Sequence, residues 1–280
     1  MVEIRPSGFA AGAEVVGVDL AQTVDDDTFA QISEAFDTYG VLCFRNQDIT
    51  VDQHVAFSSL IGELEINYNA HLYGIDGSPE IYIISNITED GRPIGSRRAG
   101  DNWHSDMIYA EKPARATMLY AVEVPILDGM TLGGTQFANS AAAYDALPDT
   151  MKQKITPLKG VFDFSQRKRS VPPKPEVAAR YPPVAHPLVR SHPNTGRKSL
   201  NVMRDDCTGI ADMAQEEADR LIEALADHIV RPEFVYQHNW QKGDFVMWDN
   251  CTVQHRAILD YDLPQRRLMW RTTVKGERPV

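Results

Sequence analysis

Cysteine is scarce: three residues in 280, Cys43, Cys207 and Cys251, widely spaced and in no C-x-x-C pair. An odd number of isolated thiols fits neither a disulfide framework nor a thiolate zinc knot, and points to a reducing compartment. Positive charge is also in deficit, since 28 Lys and Arg against 39 Asp and Glu leave a formal charge of −11 and a pI near 5.2. Such a chain repels a phosphate backbone or an anionic membrane on average, so neither nucleic acid nor membrane is expected as a partner. Long hydrophobic runs are missing as well. No apolar stretch approaches the roughly 20 residues of a membrane span, and the N-terminal residues, interrupted by Glu14 and Asp19, hold no basic stretch followed by an apolar run. Repeats, low-complexity tracts and a dividing linker are absent too. The expectation is a cytoplasmic protein with one domain over residues 1–280.

What is present suits a globular chain, with 43% hydrophobic and 24% charged residues. At this size roughly 70–75% of the unfolded chain's surface is buried on folding, so no structural metal is needed and a metal site would serve function. Phe29, Ile32 and Phe36 recur at helical spacing behind Asp25 to Asp27 and predict a helix over 26–39 closed by Gly40. Val41 to Phe44 reads as a buried strand, and Thr50 as the N-cap of a second helix running to about Gly62. Ile81 to Ile84 and Leu268 to Val274 read as strands. Leu221, Ile222, Leu225 and Ile229 share one face of a helix near 211–229. Phe234 to Tyr236 and Phe245 to Trp248 flank Gln241-Lys242-Gly243-Asp244 and read as a hairpin. From about 155 to 200, Pro172, Pro173, Pro175, Pro182, Pro183, Pro187 and Pro193 and the basic run Gln166 to Arg169 predict an irregular insert acting as a lid. Short strands from end to end, with helices at two places, favour a mainly β fold with helical additions.

The chemistry concentrates in Asn102-Trp103-His104-Ser105-Asp106-Met107. Residues i and i+2 of a strand face the same side, so His104 and Asp106 present an imidazole and a carboxylate to one point. A facial 2-His-1-carboxylate set, which suits ferrous iron and keeps positions open for substrates, lacks only a distant histidine. His54 falls in a helix, His71 and His228 have no organised strand around them, and His186, His192 and His238 fit loop or surface roles. His255 stands just after the strand ending at Trp248. Arg267 and Arg271 follow, four apart and so on one side of a strand; guanidiniums aimed into an apolar interior require anions. Taken singly, an H-x-D is more often a structural pair than a metal site, and Arg266, Arg267 and Arg271 would by default form a solvated patch.

Their order is more specific. His104-x-Asp106, then Trp248-Asp249-Asn250 with His255-Arg256-Ala257, then Arg266-Arg267 with Arg271-Thr272-Thr273, resembles the iron(II)/2-oxoglutarate dioxygenases of the taurine dioxygenase family, which includes 2,4-dichlorophenoxyacetate dioxygenases. Gly17 to Leu20, Tyr39 to Leu42, Phe57-Ser58 with Gly62 to Leu64, Thr135 to Asn139 with Ala142 to Tyr144, His186 to Val189 and Gly196 to Lys198 extend the resemblance over nearly the whole chain.

The resemblance implies a double-stranded β-helix, or jelly roll, of cupin-like form. It implies that His104, Asp106 and His255 ligate Fe(II) and carry catalysis, and that Thr135 and Arg267 hold the distal carboxylate of 2-oxoglutarate. 2-Oxoglutarate and O2 would then yield succinate and CO2 as a small organic substrate is hydroxylated, with bond cleavage where the attacked carbon bears a heteroatom. Arg271 would meet an anionic group of that substrate, or the neighbourhood of the co-substrate. The loop between His255 and the arginines is one residue longer than the family pattern, which favours Arg267 over Arg266. The stretch Pro125 to Thr135 is about four residues longer than P-P-x-G-G-D-T; Thr135 keeps the register to Phe137, Asn139 and Tyr144, and Thr131 is the alternative. Asp106, which in halogenating relatives is a small residue, argues against halogenation. A homo-oligomer is implied by resemblance alone.

Substrate-contacting candidates are Asn69, His71 and Tyr73, in a segment that resembles a pocket lining and equally fits a surface loop. Met107 and Tyr109 could wall the pocket or belong to the core. Phe162, Phe164 and Arg167 to Arg169 could form the lid, against a solvated basic loop. Cys251, with no base beside it in sequence, reads as a packed thiol. Rival readings are desaturation or epoxidation by the same cofactor chemistry, a non-catalytic sensor of 2-oxoglutarate or iron, and a zinc hydrolase, in which two inward arginines have no evident task.

Overall fold

The computed structural model describes residues 2–97, 100–166 and 175–280. The first helix, α1 (Asp26–Tyr39), starts where the Asp25 side chain accepts from the Thr28 N–H at 2.9 Å and ends at Gly40, whose φ of 69° is one only glycine adopts readily. The second, α2 (Val51–Ile61), is closed by a reciprocal pair in which Thr50 and Gln53 each bond the other's backbone N–H. Both helices begin and end as their capping residues predict.

Eleven strands build the two sheets that matter for the site: β1 (Glu3–Pro6), β2 (Ala13–Val16), β3 (Val41–Phe44), β4 (Gly74–Ile75), β5 (Ser78–Ser85), β6 (Ala116–Glu123), β7 (Thr135–Asn139), β8 (Val235–His238), β9 (Phe245–Asp249), β10 (Val253–Ala257) and β11 (Leu268–Val274). The large sheet has the order β1-β2-β3-β9-β6-β11-β5-β4, and the small one β8-β7-β10. From β6 onward the chain passes repeatedly between them. Strands from both ends of the chain, β1 and β11, belong to the large sheet, and the set of short strands read from the sequence is present.

Alternation explains why β3 and β9 are buried at every position and β6 at its first six. Phe245 and Met247 of β9, Leu42 and Phe44 of β3, and Met118 and Tyr120 of β6 point to one face, where Ile32 and Phe36 of α1 and Phe57 of α2 cover them. Val246 and Trp248, Val41 and Cys43, and Leu119 and Ala121 point to the other, against Phe137 of β7 and Val253 of β10. A strand covered on both faces reads as a continuous apolar run. Among the described residues no helix is long and apolar enough to cross a membrane.

The expected hairpin of 234–248 does not form. β8 pairs with β7 in the small sheet, whereas β9 lies between β3 and β6 in the large one. With both edges of β9 already bonded, the Gln241 to Asp244 turn carries the chain from sheet to sheet; turn residues suit either connection.

The stretch 155–200 is more regular than predicted. Lys159–Phe162, Val184–Pro187 and Cys207–Ile210 form a three-stranded sheet, and Val189–Ser191 pairs with Lys198–Leu200. The prolines mislead because Pro182, Pro183 and Pro187 sit before or at a strand end, where a missing N–H costs little. Phe162 is core, not lid: it packs with Leu188, Leu200 and Ile210 against Leu221, Leu225 and Ile229 of the helix Gln215–Ile229. That helix starts four residues later than 211, behind a turn with Asp212 at a φ of 59°. Arg167 to Arg169, Pro172 and Pro173 lie outside the described residues.

Candidate active site

His255 sits in the middle of β10, and a single antiparallel bridge ties it to His104: each backbone N–H donates to the other's carbonyl, at 2.8 and 3.0 Å. His104 and Asp106 are not in a continuous strand, as the spacing suggested. The chain leaves the bridge and turns over 106–109, with Met107 in the left-handed region at a φ of 57°. The two side chains converge all the same, because the turn folds Asp106 back toward the bridge. Gly100 makes room, since a Cβ there would stand 2.9 Å from His104 Cε1.

His104 Nε2 lies 3.9 Å from Asp106 Oδ1, His255 Nε2 lies 3.7 Å from Asp106 Oδ2, and the two imidazole centroids are 4.1 Å apart. All three side chains are buried. Outer partners orient them. The Asn102 carbonyl faces His104 Nδ1 at 2.8 Å, and because a carbonyl only accepts, Nδ1 carries a hydrogen there and Nε2 is the nitrogen left facing Asp106 and His255. The Thr117 hydroxyl donates to Asp106 Oδ2 at 2.6 Å and accepts from Asn250 Nδ2 at 3.0 Å, while Asn250 Oδ1 accepts from the Asp106 N–H at 3.1 Å. Burial alone would raise the Asp106 pKa, but His255, Arg271, His104 and the Thr117 hydroxyl outweigh it and hold the carboxyl well below its usual range. An ionised carboxylate and two imidazoles, their donor atoms within 4.8 Å of one another, are the donor set that suits ferrous iron.

Two other buried donor trios occur among the described residues, Cys43–His238–Asp244 and His192–Asp249–Cys251. In each a guanidinium already neutralises the carboxylate: Arg45 on Asp244 at 2.5 Å, and Arg115 on Asp249. The thiols are protonated, burial pushing Cys251 up to about 12 and Cys43 higher. Cys251 is a packed thiol, as read from its sequence. His186, His192 and His238 are all buried, not surface residues: the distant Ala110 carbonyl holds His186, the distant Asp249 carboxylate holds His192, and Asp244, six residues on across a turn, holds His238.

The arginines separate cleanly. Arg266 is exposed and pairs with Glu123 at 3.0 Å. Arg267 is 3% exposed, its Nε has no hydrogen-bond partner, and its guanidinium lies 5.7 Å from the Tyr261 ring centroid. Burial pushes its pKa down, with Tyr261 opposing. Arg271 lies over Tyr82 at 5.0 Å with Nη1 3.6 Å from Asp106 Oδ1, and its Nε is also without a partner. Met269 and Arg271 share one face of β11, Met269 belonging to the cluster between the sheets, while Arg267 stands just before the strand, ahead of a register shift between Leu268 and Met269. A buried guanidinium with an unused N–H calls for an anion. Thr135 is buried on β7, whereas Thr131 is half-buried in the two-residue ladder Met130–Thr131. Thr135 shares its face with Phe137, whose ring stacks on His255 at 6.2 Å. Gly133, two residues earlier, packs so closely on Tyr261 that a Cβ would lie 2.9 Å from that ring.

Beside Asp106, Met107 leads into an apolar cluster of Tyr68, Tyr109, Phe164, Val177 and Tyr181. Phe164 is its hub, with ring centroids 4.6 Å from Tyr109, 4.9 Å from Tyr181 and 6.0 Å from Tyr68. Of the residues predicted to meet substrate, Tyr73 joins the site through Tyr82, at 5.9 Å. His71 is exposed, and no described contact brings it or the half-buried Asn69 to the donors. Thr117, Tyr82, Tyr181 and Tyr261 were missed. Tyr68 stood inside the segment singled out around Asn69, and Asn250 inside the Trp248-Asp249-Asn250 motif.

Residues 3–273 match the family described as taurine catabolism dioxygenase TauD, TfdA family. An alpha-ketoglutarate-dependent 2,4-dichlorophenoxyacetate dioxygenase of Cupriavidus pinatubonensis is 33% identical, covering 97% of this chain and 96% of its own length. An alkylsulfatase of Acinetobacter baylyi is 30% identical, covering 99% and 86%. Among solved structures, AAD-2 in complex with Mn(II) and N-oxalylglycine superposes with a TM-score of 0.83 at 33% identity, covering 100% of this chain and 99% of that one.

Proposed function

The chain belongs to the TauD, TfdA family of dioxygenases, and from that premise we propose that it binds Fe(II) through His104, Asp106 and His255 and uses 2-oxoglutarate and O2 to hydroxylate a small organic anion. The passage of strands between two facing sheets supports a double-stranded β-helix, and one domain over the whole chain. The observation that carries the reading is the buried His104–Asp106–His255 set beside two inward guanidiniums with unused donors.

When bound, iron with dioxygen and the keto acid supplies oxidation of an unactivated C–H bond, the keto acid leaving as succinate and CO2. The chain's own residues do the rest. His104 and His255 offer imidazole nitrogens, and Asp106 offers a carboxylate kept ionised by its neighbours and fixed by Thr117. Arg267 takes the distal carboxylate of 2-oxoglutarate through its planar fork, with the Thr135 hydroxyl as a further donor. Arg271, lying over Tyr82 beside Asp106, meets the anionic group of the substrate. The apolar part of that substrate rests among Tyr68, Met107, Tyr109, Phe164 and Tyr181, which keep water from the reacting carbon. Relatives named for a phenoxyacetate and an alkyl sulfate suggest carboxylates or sulfate esters with an apolar body.

Anaerobic titration with Fe(II) and 2-oxoglutarate, followed by the visible charge-transfer absorption, tests the cofactor set; admission of air with candidate phenoxyalkanoates and sulfate esters then tests turnover through succinate release. The band should vanish in His104→Ala and weaken in Arg267→Ala, and one substrate class should accelerate succinate formation. Absence of the band in the unaltered protein would overturn the iron assignment, and a band without succinate would leave a sensor instead of an enzyme.

A further inference from the structure

Trp240 and Thr135 are both buried, and the Trp240 indole N–H donates to Thr135 Oγ1 at 2.9 Å. An indole nitrogen can only donate, so the threonine oxygen is the acceptor and the hydroxyl keeps its own hydrogen. Among the described residues nothing accepts that hydrogen. A threonine hydroxyl with no fixed partner rotates among staggered positions and offers a ligand a donor for only part of the time. One lone pair committed to Trp240 confines the hydrogen to the remaining directions, on the face that Thr135 shares with Phe137 and, through it, with His255.

Trp240 is itself braced more firmly than packing requires. Its ring stands edge-on to His238 at 4.7 Å, and His238 is the cross-strand partner of Thr135 in the small sheet. His238 Nε2 lies 2.9 Å from Asp244 Oδ2, the same oxygen accepts from the Gln241 N–H at 2.8 Å, and Arg45 pairs with it. All these groups except Arg45 and Gln241 are buried. The Cys43–His238–Asp244 trio, which by composition could hold zinc, instead fixes the ring on which the Trp240 indole rests, because Arg45 supplies the positive charge.

We infer that Trp240 is a positioning residue for the co-substrate: its N–H sets the Thr135 hydroxyl as a donor to the distal carboxylate of 2-oxoglutarate, in concert with Arg267. This rests on the reading that Thr135 and Arg267 hold that carboxylate. The role is selective. A keto acid lacking the distal carboxylate, such as 2-oxovalerate, gains nothing from the Thr135 hydroxyl and should be indifferent to Trp240.

Calorimetric binding to the Mn(II)-loaded protein in the absence of turnover separates the outcomes. Trp240→Phe, which keeps an aromatic ring but loses the donor, should weaken 2-oxoglutarate about three- to tenfold, the loss of one oriented hydrogen bond, and leave 2-oxovalerate unchanged. In a Thr135→Ala background the same substitution should add nothing, since its effect passes through the missing hydroxyl. Equal weakening of both acids, or additive losses, would overturn the inference and reduce Trp240 to packing. If Thr135→Ala itself leaves 2-oxoglutarate binding intact, the underlying reading of Thr135 fails instead. Should Trp240→Phe not fold, the Zn(II)-loaded parent supplies an independent readout: the indole N–H resonance that moves in Thr135→Val identifies Trp240, and it should shift on addition of 2-oxoglutarate but not of 2-oxovalerate. A resonance indifferent to both would sink the inference.

Discussion

The Thr117 hydroxyl donates to Asp106 Oδ2 at 2.6 Å and accepts in turn from Asn250 Nδ2 at 3.0 Å, so a threonine of the large sheet fixes the carboxylate of the donor set. Groups that orient a metal ligand are commonly worth ten- to a hundredfold in metal affinity. Thr117→Val preserves shape and burial but removes the donor. It should weaken Mn(II) or Fe(II) binding by about that factor, measured by calorimetry, while the melting temperature of the metal-free protein changes by only a few degrees. Unaltered metal affinity would show that Asp106 is positioned by the turn alone.

Burial separates Arg267 from its neighbour. Arg267→Lys replaces a planar fork with a point charge and should raise the 2-oxoglutarate dissociation constant by roughly tenfold or more, with little loss of stability. Arg266→Lys disturbs only an exposed pair with Glu123 and should leave affinity within about twofold. Binding of 2-oxoglutarate to the Mn(II)-loaded variants decides between them, and a reversed order of effects would transfer the assignment to Arg266.

These two residues also mark how far sequence reasoning reaches. Local rules sufficed where a few neighbouring residues decide the outcome: Asp25 and Gly40 bound α1, and the Thr50–Gln53 pair starts α2. His104, Asp106 and His255 were legible because their type and order are specific, although the strand argument for His104 and Asp106 was mistaken and a turn at Met107 brings them together. Pairing between distant segments was not legible. Nothing near Thr117 announces its bond to Asp106, eleven residues away; nothing near Tyr181 tells that it meets Phe164 and Tyr109; and β9 resembles one arm of a hairpin until β3 and β6 are seen on its two edges. His71 shows the opposite failure, in which a polar residue in the right segment points outward.

Phe164 touches Tyr68, Tyr109 and Tyr181 at once, so its removal opens the apolar cluster beside Met107 more than any peripheral change. Phe164→Ala should raise the Michaelis constant for a substrate with an aryl or long alkyl body by about tenfold or more, from lost apolar contact, and leave the Michaelis constant for the keto acid unchanged. Steady-state succinate release at varied substrate and then at varied keto acid gives both constants. Equal rises in the two would mean that the cluster supports the site as a whole and does not itself receive the substrate.

His54 gives the stability of the fold a pH dependence that is separate from the chemistry of the site. Burial between the large sheet and α2, with ring contacts to Phe245 and Tyr120, pushes its pKa down to about 3, and Nε2 lies 3.1 Å from Thr272 Oγ1. In the unfolded chain the same imidazole takes up a proton near its ordinary value of 6.5. Between these two values the unfolded state binds more protons, so stability must fall as pH drops from about 6.5 toward 3, and no such loss occurs above 6.5. Integrated over the whole window the effect is of order 5 kcal/mol for this one group. His186 and His238 are likewise depressed and contribute to the same slope. His54→Leu removes one of these protons while Thr272 keeps its 2.7 Å contact with Ser58. Melting temperatures of the chelator-treated protein between pH 7 and 4 should therefore fall less steeply in His54→Leu than in the parent. Parallel curves would show that His54 is already protonated in the folded protein or that its site opens to water before the rest unfolds.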